Sequence, residues 1–164
     1  MSRLDPVDAA ILALLQQEGR LSNSDLSERV GLSASACHRR VKALEASGLI
    51  RGYVALLDAE KLGRGLTVIV LATLENQRRE TLEAFELAVA GIEEVMECHL
   101  TTGAEDYLLR LQVRDARDYE RVHRLRLSGL PGLARLVSNI AMRTVFARTA
   151  IPLDSGAAEP GAAR

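Results

Sequence analysis

Hydrogen-bond donors and cations are concentrated in one short stretch of the chain. The stretch contains Ser33, Ser35, Ala36, His38, Arg39, Arg40 and Lys42, and Arg51 follows shortly after. A helix that reads the major groove of DNA needs donors for base edges and cations for phosphates on its outer face. We therefore expect Ser35, His38 and Arg39 to contact bases, while Ser33 and the adjoining helix start could hold a phosphate.

The remaining basic residues of this stretch have a less specific interpretation. Arg40 and Lys42 suit contact with the DNA backbone or pairing with local acids, and Arg51 could touch the flanking DNA as a wing does. The alternative to a DNA-reading helix is an ordinary three-helix bundle with a solvated basic face.

Three short helices are predicted to position these side chains. Asp5-Pro6 is a good start for the first helix, and Ser22 begins a capping box that opens the second. Gly31 ends the second helix, and Ser33 caps a third, whose buried stripe is Cys37, Val41 and Leu44. The pattern predicts a helix-turn-helix at about residues 23–42, followed by an extended segment at 49–57.

The second half of the chain has a different pattern. Strands are predicted at 66–74, 94–102, 106–113 and 136–147, with helices at 79–90 and 115–128. The order βαββαβ is that of a ferredoxin-like unit, so the fold class is α+β. We expect a DNA-binding domain at 4–57, a polar linker at 58–65, a second domain at 66–150 and a disordered tail at 151–164.

Composition limits the classes of function. The 164 residues are 48% hydrophobic and carry a formal net charge of −1, whereas a non-specific nucleic-acid binder is usually strongly basic. No apolar run is long enough to span a membrane, and the two cysteines form no framework, so we expect a cytoplasmic protein. One face of the predicted sheet lacks helices, which predicts a homodimer through that face.

Other chemical motifs are weak. Cys37-His38 and Cys98-His99 lack the four closely spaced ligands of structural zinc, and neighbouring strand residues point to opposite faces, so no metal is expected. Gly63-Arg64-Gly65 precedes a strand and is not a dinucleotide loop. No nucleophile and base lie together in the sequence, so we expect neither catalysis nor a cofactor.

Several runs of residues resemble the leucine-responsive regulatory protein/AsnC family of transcriptional regulators. They are Gly19-Arg20, Ser22-Asn23, 29–33, Arg40-Val41, 48–50, 97–100, Gly103, 106–109 and 130–132. The resemblance covers about residues 4–150. It implies a winged helix-turn-helix, a ferredoxin-like domain that senses an amino acid, and dimers that pair through their sheets and often assemble to octamers.

The resemblance also implies an effector site at the turn of Thr101, Thr102, Gly103, Ala104, Glu105 and Asp106. A carboxylate such as Asp106 can pair with the ammonium of an amino acid, and turn N–H groups around Gly103 can hold its carboxylate. The family often has an acid directly after the glycine, where this chain has Ala104. The residues alone also allow Asp106 to be a strand-starting residue that stabilises the turn.

The leading hypothesis is a sequence-specific transcriptional regulator that binds double-stranded DNA and responds to an amino acid or related effector. An alternative is an architectural protein that wraps DNA with little or no ligand response, which Ala104 favours. A small metabolic enzyme is a third possibility that only the versatility of the fold supports.

Overall fold

The computed structural model describes residues 4–153 and divides them into two units. The first unit runs to Leu56 and resumes at Phe146, and the second unit is Leu57–Val145. Helices occupy the first unit, and a sheet with helices makes up the second, which confirms the α+β class. The expected linker 58–65 belongs to the second unit as a hydrogen-bonded turn, in which the Leu62 and Arg64 N–H groups donate to the Asp58 and Ala59 carbonyls.

The first unit contains α1 (Pro6–Gln17), α2 (Asn23–Arg29) and α3 (Ala34–Ala46). Each helix begins at a polar cap: Asp5 accepts from the Val7 N–H at 2.9 Å, and Ser22 and Ser33 each accept from the backbone N–H of the third residue of their helices. The core is made by Ile11, Leu12, Leu26, Cys37 and Leu44. These residues share the helical spacing seen in the sequence, so the predicted helix-turn-helix is formed.

The segment after α3 has no strand pairing in this structure. Residues 51–57 are assigned to neither helix nor strand, and Val54, Leu56 and Leu57 are more than 70% exposed. A β-strand needs a hydrogen-bonding neighbour, and the described part of the first unit contains no strand.

The second unit contains β1 (Leu66–Leu74), α4 (Arg79–Ala90), β2 (Val95–Leu100), β3 (Tyr107–Val113), α5 (Ala116–Val122) and β4 (Leu133–Ile140). The strands form one antiparallel sheet in the order β2-β3-β1-β4. Alternate residues of β1 and β3 are buried beneath the helices, among them Val68, Val70, Leu109 and Leu111. The predicted ferredoxin-like topology is therefore present.

Two predicted elements have different bounds. The last strand begins at Leu133 and ends at Ile140, not at 136 and 147, because its length is set by β1, with which it pairs from Leu74 to Val68. The helix predicted at 115–128 is α-helical only to Val122 and continues as a π-helical turn at His123–Leu127.

The sheet face opposite the helices is apolar at its centre. Leu71 of β1 lies between Leu108 of β3 and Val137 of β4, and Ile69 is its neighbour two residues along the strand. All four side chains are partly exposed, whereas their neighbours on the helical face are mostly fully buried. Over residues 4–153, no helix has the length and apolar character needed to cross a membrane.

Of the expected tail, residues 151–153 are described and lie in the first unit, where Leu153 packs against the three-helix core. The rest of the expected disordered tail, 154–164, lies outside the described residues.

Candidate DNA-binding and effector-binding sites

The outer face of α3 presents a continuous polar stripe. Ser35, His38, Arg39 and Lys42 are spaced by three, one and three residues, which places them on one side of a helix, and all four are exposed. The opposite side of α3 buries Cys37 and Leu44 in the core. The burial of one side thus fixes which side chains face outward.

Arg39 is the stripe residue best able to meet a polyanion. In the part of the chain that the structure describes, no carboxylate lies within salt-bridge distance of its guanidinium. An arginine of this kind retains all its donors for a base edge or a phosphate. His38 lies beside it and is exposed.

Arg40 points away from the stripe and joins two helices. Its Nη1 lies 2.8 Å from Asp8 Oδ1 and 3.2 Å from Asp5 Oδ1, both at the start of α1. The hydrogen bond to Asp8 raises the pKa of Arg40. Of the two expectations for Arg40, the structure shows local pairing.

Lys42 belongs to the stripe but is also paired. Its Nζ lies 2.8 Å from Glu45 Oε2, and Glu45 accepts a second hydrogen bond from the Tyr53 hydroxyl at 3.3 Å. The hydrogen bond with Lys42 lowers the pKa of Glu45. A side chain on the surface with 62% exposure can exchange this partner for a phosphate at small cost.

The start of α3 is held from two directions. Ser33 Oγ accepts from the Ala36 N–H at 3.3 Å and lies 3.3 Å from Ser35 Oγ. Asn23 of α2 donates to the Ala34 carbonyl at 2.9 Å. Asn23 therefore links the start of α2 to the start of α3, a contact that the sequence alone does not predict. Arg51 is exposed on the irregular segment after α3.

The turn between β2 and β3 is organised by Asp106, which is 7% exposed. Asp106 Oδ2 accepts from the Leu74 N–H at 2.7 Å, and Oδ1 accepts from Gln77 Nε2 at 2.6 Å. Its own N–H donates to the Ala72 carbonyl at 3.0 Å. Both carboxylate oxygens are thus occupied by this chain, and Gln77, which the sequence analysis did not identify, is one of the partners.

The outer part of the same turn is open. Thr102, Gly103 and Ala104 are exposed, and none of their N–H groups donates to another group in residues 4–153. Thr101 closes the turn, because its N–H donates to the Asp106 carbonyl at 2.8 Å and its hydroxyl to the Glu105 carbonyl. Glu105 pairs with Arg135 of β4 at 3.3 Å. The turn therefore offers free N–H donors beside an arginine.

The two cysteines are in unlike surroundings. Cys37 is fully buried in the first unit, whereas Cys98 is exposed on β2. Within residues 4–153, no group of three or more His, Cys, Asp or Glu side chains is arranged to hold a metal ion.

Comparison with known families also divides the chain into two parts, although the second match extends to residue 151 and so includes residues 146–151, which the structure assigns to the first unit. Residues 4–51 match the family model described as winged helix-turn-helix DNA-binding. Residues 67–151 match the model described as Lrp/AsnC ligand binding domain. Together the two matches include every residue of the α3 stripe and of the β2–β3 turn.

Relatives match over nearly the whole chain. A leucine-responsive regulatory protein of Haemophilus influenzae is 43% identical over 142 residues, which is 87% of this chain and 86% of the relative. The Bkd operon transcriptional regulator of Pseudomonas aeruginosa is 40% identical over 153 residues, which is 93% of this chain and 100% of the relative.

Solved structures match with similar coverage. A transcriptional regulator from Neisseria meningitidis in complex with L-methionine has a TM-score of 0.88 and 34% identity, and the match covers 94% of this chain and 99% of that one. An AsnC family transcriptional regulator from Agrobacterium tumefaciens also has a TM-score of 0.88 and 34% identity, over 92% of this chain and 98% of that one.

Proposed function

The chain belongs to the Lrp/AsnC family of transcriptional regulators, and on that premise we propose that α3 reads DNA through Ser35, His38, Arg39 and Lys42 while the β2–β3 turn binds an amino acid. The family's members compared above are transcriptional regulators, not enzymes, and we assign this chain no catalytic step. Regulation of genes in bacteria takes place in the cytoplasm, where we expect the protein to act.

The DNA-binding proposal depends mainly on one observation, the exposed guanidinium of Arg39 at the centre of the stripe. Arg40 and Lys42 have carboxylate partners, so among the arginines and lysines of α3 it is Arg39 that can contact DNA without first losing an ion pair. We propose that Ser33, the partly exposed Ala36 and the start of α3 contact phosphates or base edges, and that the exposed Arg51 contacts the flanking DNA.

Arg39→Ala tests this assignment against Arg117→Ala, which removes the same charge from an exposed position of α5. We expect the Arg39 variant to bind its selected duplex about 10- to 100-fold more weakly, since a good arginine–base contact contributes about 1–3 kcal/mol. The Arg117 variant should bind like the wild type. Fluorescence anisotropy with a duplex that the wild-type protein selects from a random pool measures both.

An equal affinity of the two variants would show that α3 is not the recognition helix. Arg40→Ala is a useful third variant, because its loss should lower the melting temperature through the broken link to Asp5 and Asp8 and leave base preference unchanged.

The effector proposal rests on the open N–H groups of Thr102, Gly103 and Ala104 beside Arg135. Backbone N–H groups in a turn and an arginine both suit a carboxylate. Asp106 then acts by fixing the shape of the turn through Leu74 and Gln77, and contact with the ligand ammonium would require it to release one of them. The transcriptional regulator from Neisseria meningitidis, which has a similar structure, was solved in complex with L-methionine.

Thermal-shift measurements with each common amino acid test the effector proposal. A ligand that binds the folded state raises the melting temperature in proportion to its saturation. We expect at least one amino acid to do so, and Gln77→Ala, which frees one oxygen of Asp106, to reduce the shift. If no amino acid stabilises the protein, the architectural alternative is favoured instead.

We also propose that two copies pair through the apolar sheet face and that such dimers assemble further, to octamers. Ile69, Leu71, Leu108 and Val137 supply the apolar centre, and the pairs Arg110–Glu97 and Arg135–Glu105 lie around it. An apolar centre with a charged rim is the usual composition of a protein interface.

A further inference from the structure

Residues 146–153, which we name the return strap, bring the chain back to the first unit after it has passed through the second. The strap contacts α1 at Gln16. The Ile151 N–H donates to Gln16 Oε1 at 2.6 Å, and Gln16 Nε2 donates to the Ile151 carbonyl at 3.2 Å. One side-chain amide therefore pairs with both backbone groups of one residue, as a neighbouring strand does in an antiparallel sheet.

The strap is recognised by its backbone and by one apolar anchor. The side chain of Ile151 is 70% exposed and contributes little to docking. Pro152 follows and restricts Ile151 to extended conformations, which keeps both backbone groups available to Gln16. Leu153 is partly buried and packs against the core of the three helices.

The rest of the strap is solvated. Phe146 is 71% exposed, and Arg148 lies over its ring at 4.9 Å from the centroid. The docking contact thus consists of the two hydrogen bonds between Gln16 and Ile151 and the packing of Leu153. A contact of this size opens and recloses readily, in contrast to the three-helix core.

We propose that the return strap couples the two units: when docked on Gln16, it gives the first unit a second connection to the second unit and so raises affinity for DNA. Only residues 141–145 separate β4 from the strap, so a change at the end of β4 reaches α1 through a short segment. A unit held at two points loses less freedom on binding than a unit held at one. The coupling rests on the proposed DNA-binding function, whereas the docking does not.

Gln16→Ala tests the proposal, with Gln17→Ala as the matched control. The two glutamines are neighbours at the end of α1, and alanine keeps the helix in both cases, but only Gln16 touches the strap. A second pair, Leu153→Ser and Ile151→Ser, compares the buried anchor with its exposed neighbour. All four variants are made in the full chain.

Two measurements separate docking from coupling. Hydrogen–deuterium exchange at the Ile151 amide should become about tenfold faster or more in Gln16→Ala and Leu153→Ser and stay unchanged in the two controls, because protection requires the docked state. Affinity for the duplex selected by the wild type should fall roughly three- to tenfold in the same two variants, as expected when preorganisation is lost.

Each other result overturns a defined part of the proposal. Unchanged exchange at Ile151 in both test variants would show that the strap is not docked through Gln16 and Leu153. Faster exchange with unchanged DNA affinity would remove the coupling and leave a local tether. Failure of the wild-type protein to bind any duplex would overturn the proposed function and the coupling together, while the exchange rates would still decide the docking.

Discussion

Arginine has three different uses in this chain, and its surroundings decide which one applies. Arg39 is exposed on α3 and is available to DNA. Arg40, the next residue, joins α3 to α1 through Asp8 and Asp5. Arg114 and Arg121 hold a buried carboxylate, Asp118, in the second unit. Only the first use leaves the guanidinium available for function.

Asp118 is a buried carboxylate that is kept ionised by its hydrogen bonds with arginine. It is 7% exposed, and it accepts from the Arg114 N–H at 3.1 Å and lies 2.9 Å from Arg121 Nη2. The hydrogen bond from the Arg114 side chain, followed by that from its N–H, holds the pKa of Asp118 far below its usual range. Folding therefore favours the ionised form over the protonated one.

Asp118→Asn should lower the free energy of unfolding at neutral pH by about 1–3 kcal/mol. We expect no larger loss, because both arginines are more than 40% exposed and water screens their interaction with the carboxylate. Since the folded-state pKa lies below the unfolded value of about 3.9, the ionised group stabilises above that value, and its contribution is lost as pH falls further. Urea unfolding at neutral pH and near pH 3 should show the difference between variant and wild type shrinking in acid.

Glu120→Gln is the control for Asp118, since Glu120 also pairs with an arginine, Arg124 of the following π-helical turn, but is 61% exposed. It should have little effect at either pH. A difference between Asp118→Asn and wild type that stayed constant into acid would mean that packing, not charge, is what the carboxylate supplies.

The sequence predicts the basic stripe of α3, but it does not show which of two adjacent arginines lacks a carboxylate partner. Arg39 and Arg40 are adjacent and alike in sequence, and the acids that pair with Arg40 lie 32 and 35 residues away. Asp106 shows the same limit, because its partners Leu74 and Gln77 are 32 and 29 residues distant. Periodicity predicts faces, but pairing across the fold depends on tertiary distances.

At the scale of elements, local signals predicted the starts of helices better than the ends of strands. Asp5, Ser22 and Ser33 cap helices as their side chains require. The bounds of β4 depend on where β1 lies, and the π-helical turn after Val122 has no local sequence signal. The segment 51–57 has the composition of a strand, but no strand lies among the described residues of the first unit for it to pair with.

The turn before β4 contains a glycine that its surroundings require. Gly132 has a φ of +68°, and a Cβ added there would overlap the Thr81 methyl of α4. Its carbonyl also accepts from the Glu75 N–H at 2.8 Å, which fixes the turn against the end of β1. Gly129 lies in the same connection with an ordinary φ and open space around its Cα.

Gly132→Ala should therefore lower the free energy of unfolding by about 2–4 kcal/mol, from left-handed strain together with overpacking, whereas Gly129→Ala should be close to neutral. Thr81→Ser removes the methyl group and retains the hydroxyl that bonds Asn76. The double variant, Gly132→Ala with Thr81→Ser, should recover only the part of the lost stability that comes from overpacking. Thermal or urea unfolding of the wild type, the two single variants and the double variant gives a double-mutant cycle. No recovery in the double variant would show that the contact between Thr81 and the added Cβ is unimportant.

At the scale of the whole molecule, the charge of the chain bears on the proposed pairing of two copies. The chain has a formal net charge of −1, so the basic stripe of α3 is a local feature on a near-neutral protein. One short helix with a single unpaired arginine offers few phosphate contacts, and each such contact adds a limited increment of affinity. In the proposed dimer, two α3 helices would bind as a linked pair, which strengthens binding without any new contact.

Leu71→Glu tests the proposed pairing, because Leu71 lies at the centre of the apolar sheet face, between Leu108 and Val137. A carboxylate buried there without a partner should raise the dimer dissociation constant by roughly a hundredfold or more. Leu125→Glu is the control, since that side chain is 58% exposed on the π-helical turn. Light scattering measures the mass, and anisotropy measures affinity for the selected duplex.

We expect the Leu71 variant to become monomeric, to keep its helical circular dichroism, and to lose affinity for a duplex with two half-sites more than for one with a single half-site. The ratio of the two losses is the informative quantity, because a weakened helix-turn-helix would reduce both equally, whereas a lost partner affects only the two-site duplex. A variant that stayed dimeric with unchanged affinity would place the pairing surface elsewhere. Monomers that kept full affinity for the two-site duplex would show that each α3 binds DNA independently of its partner.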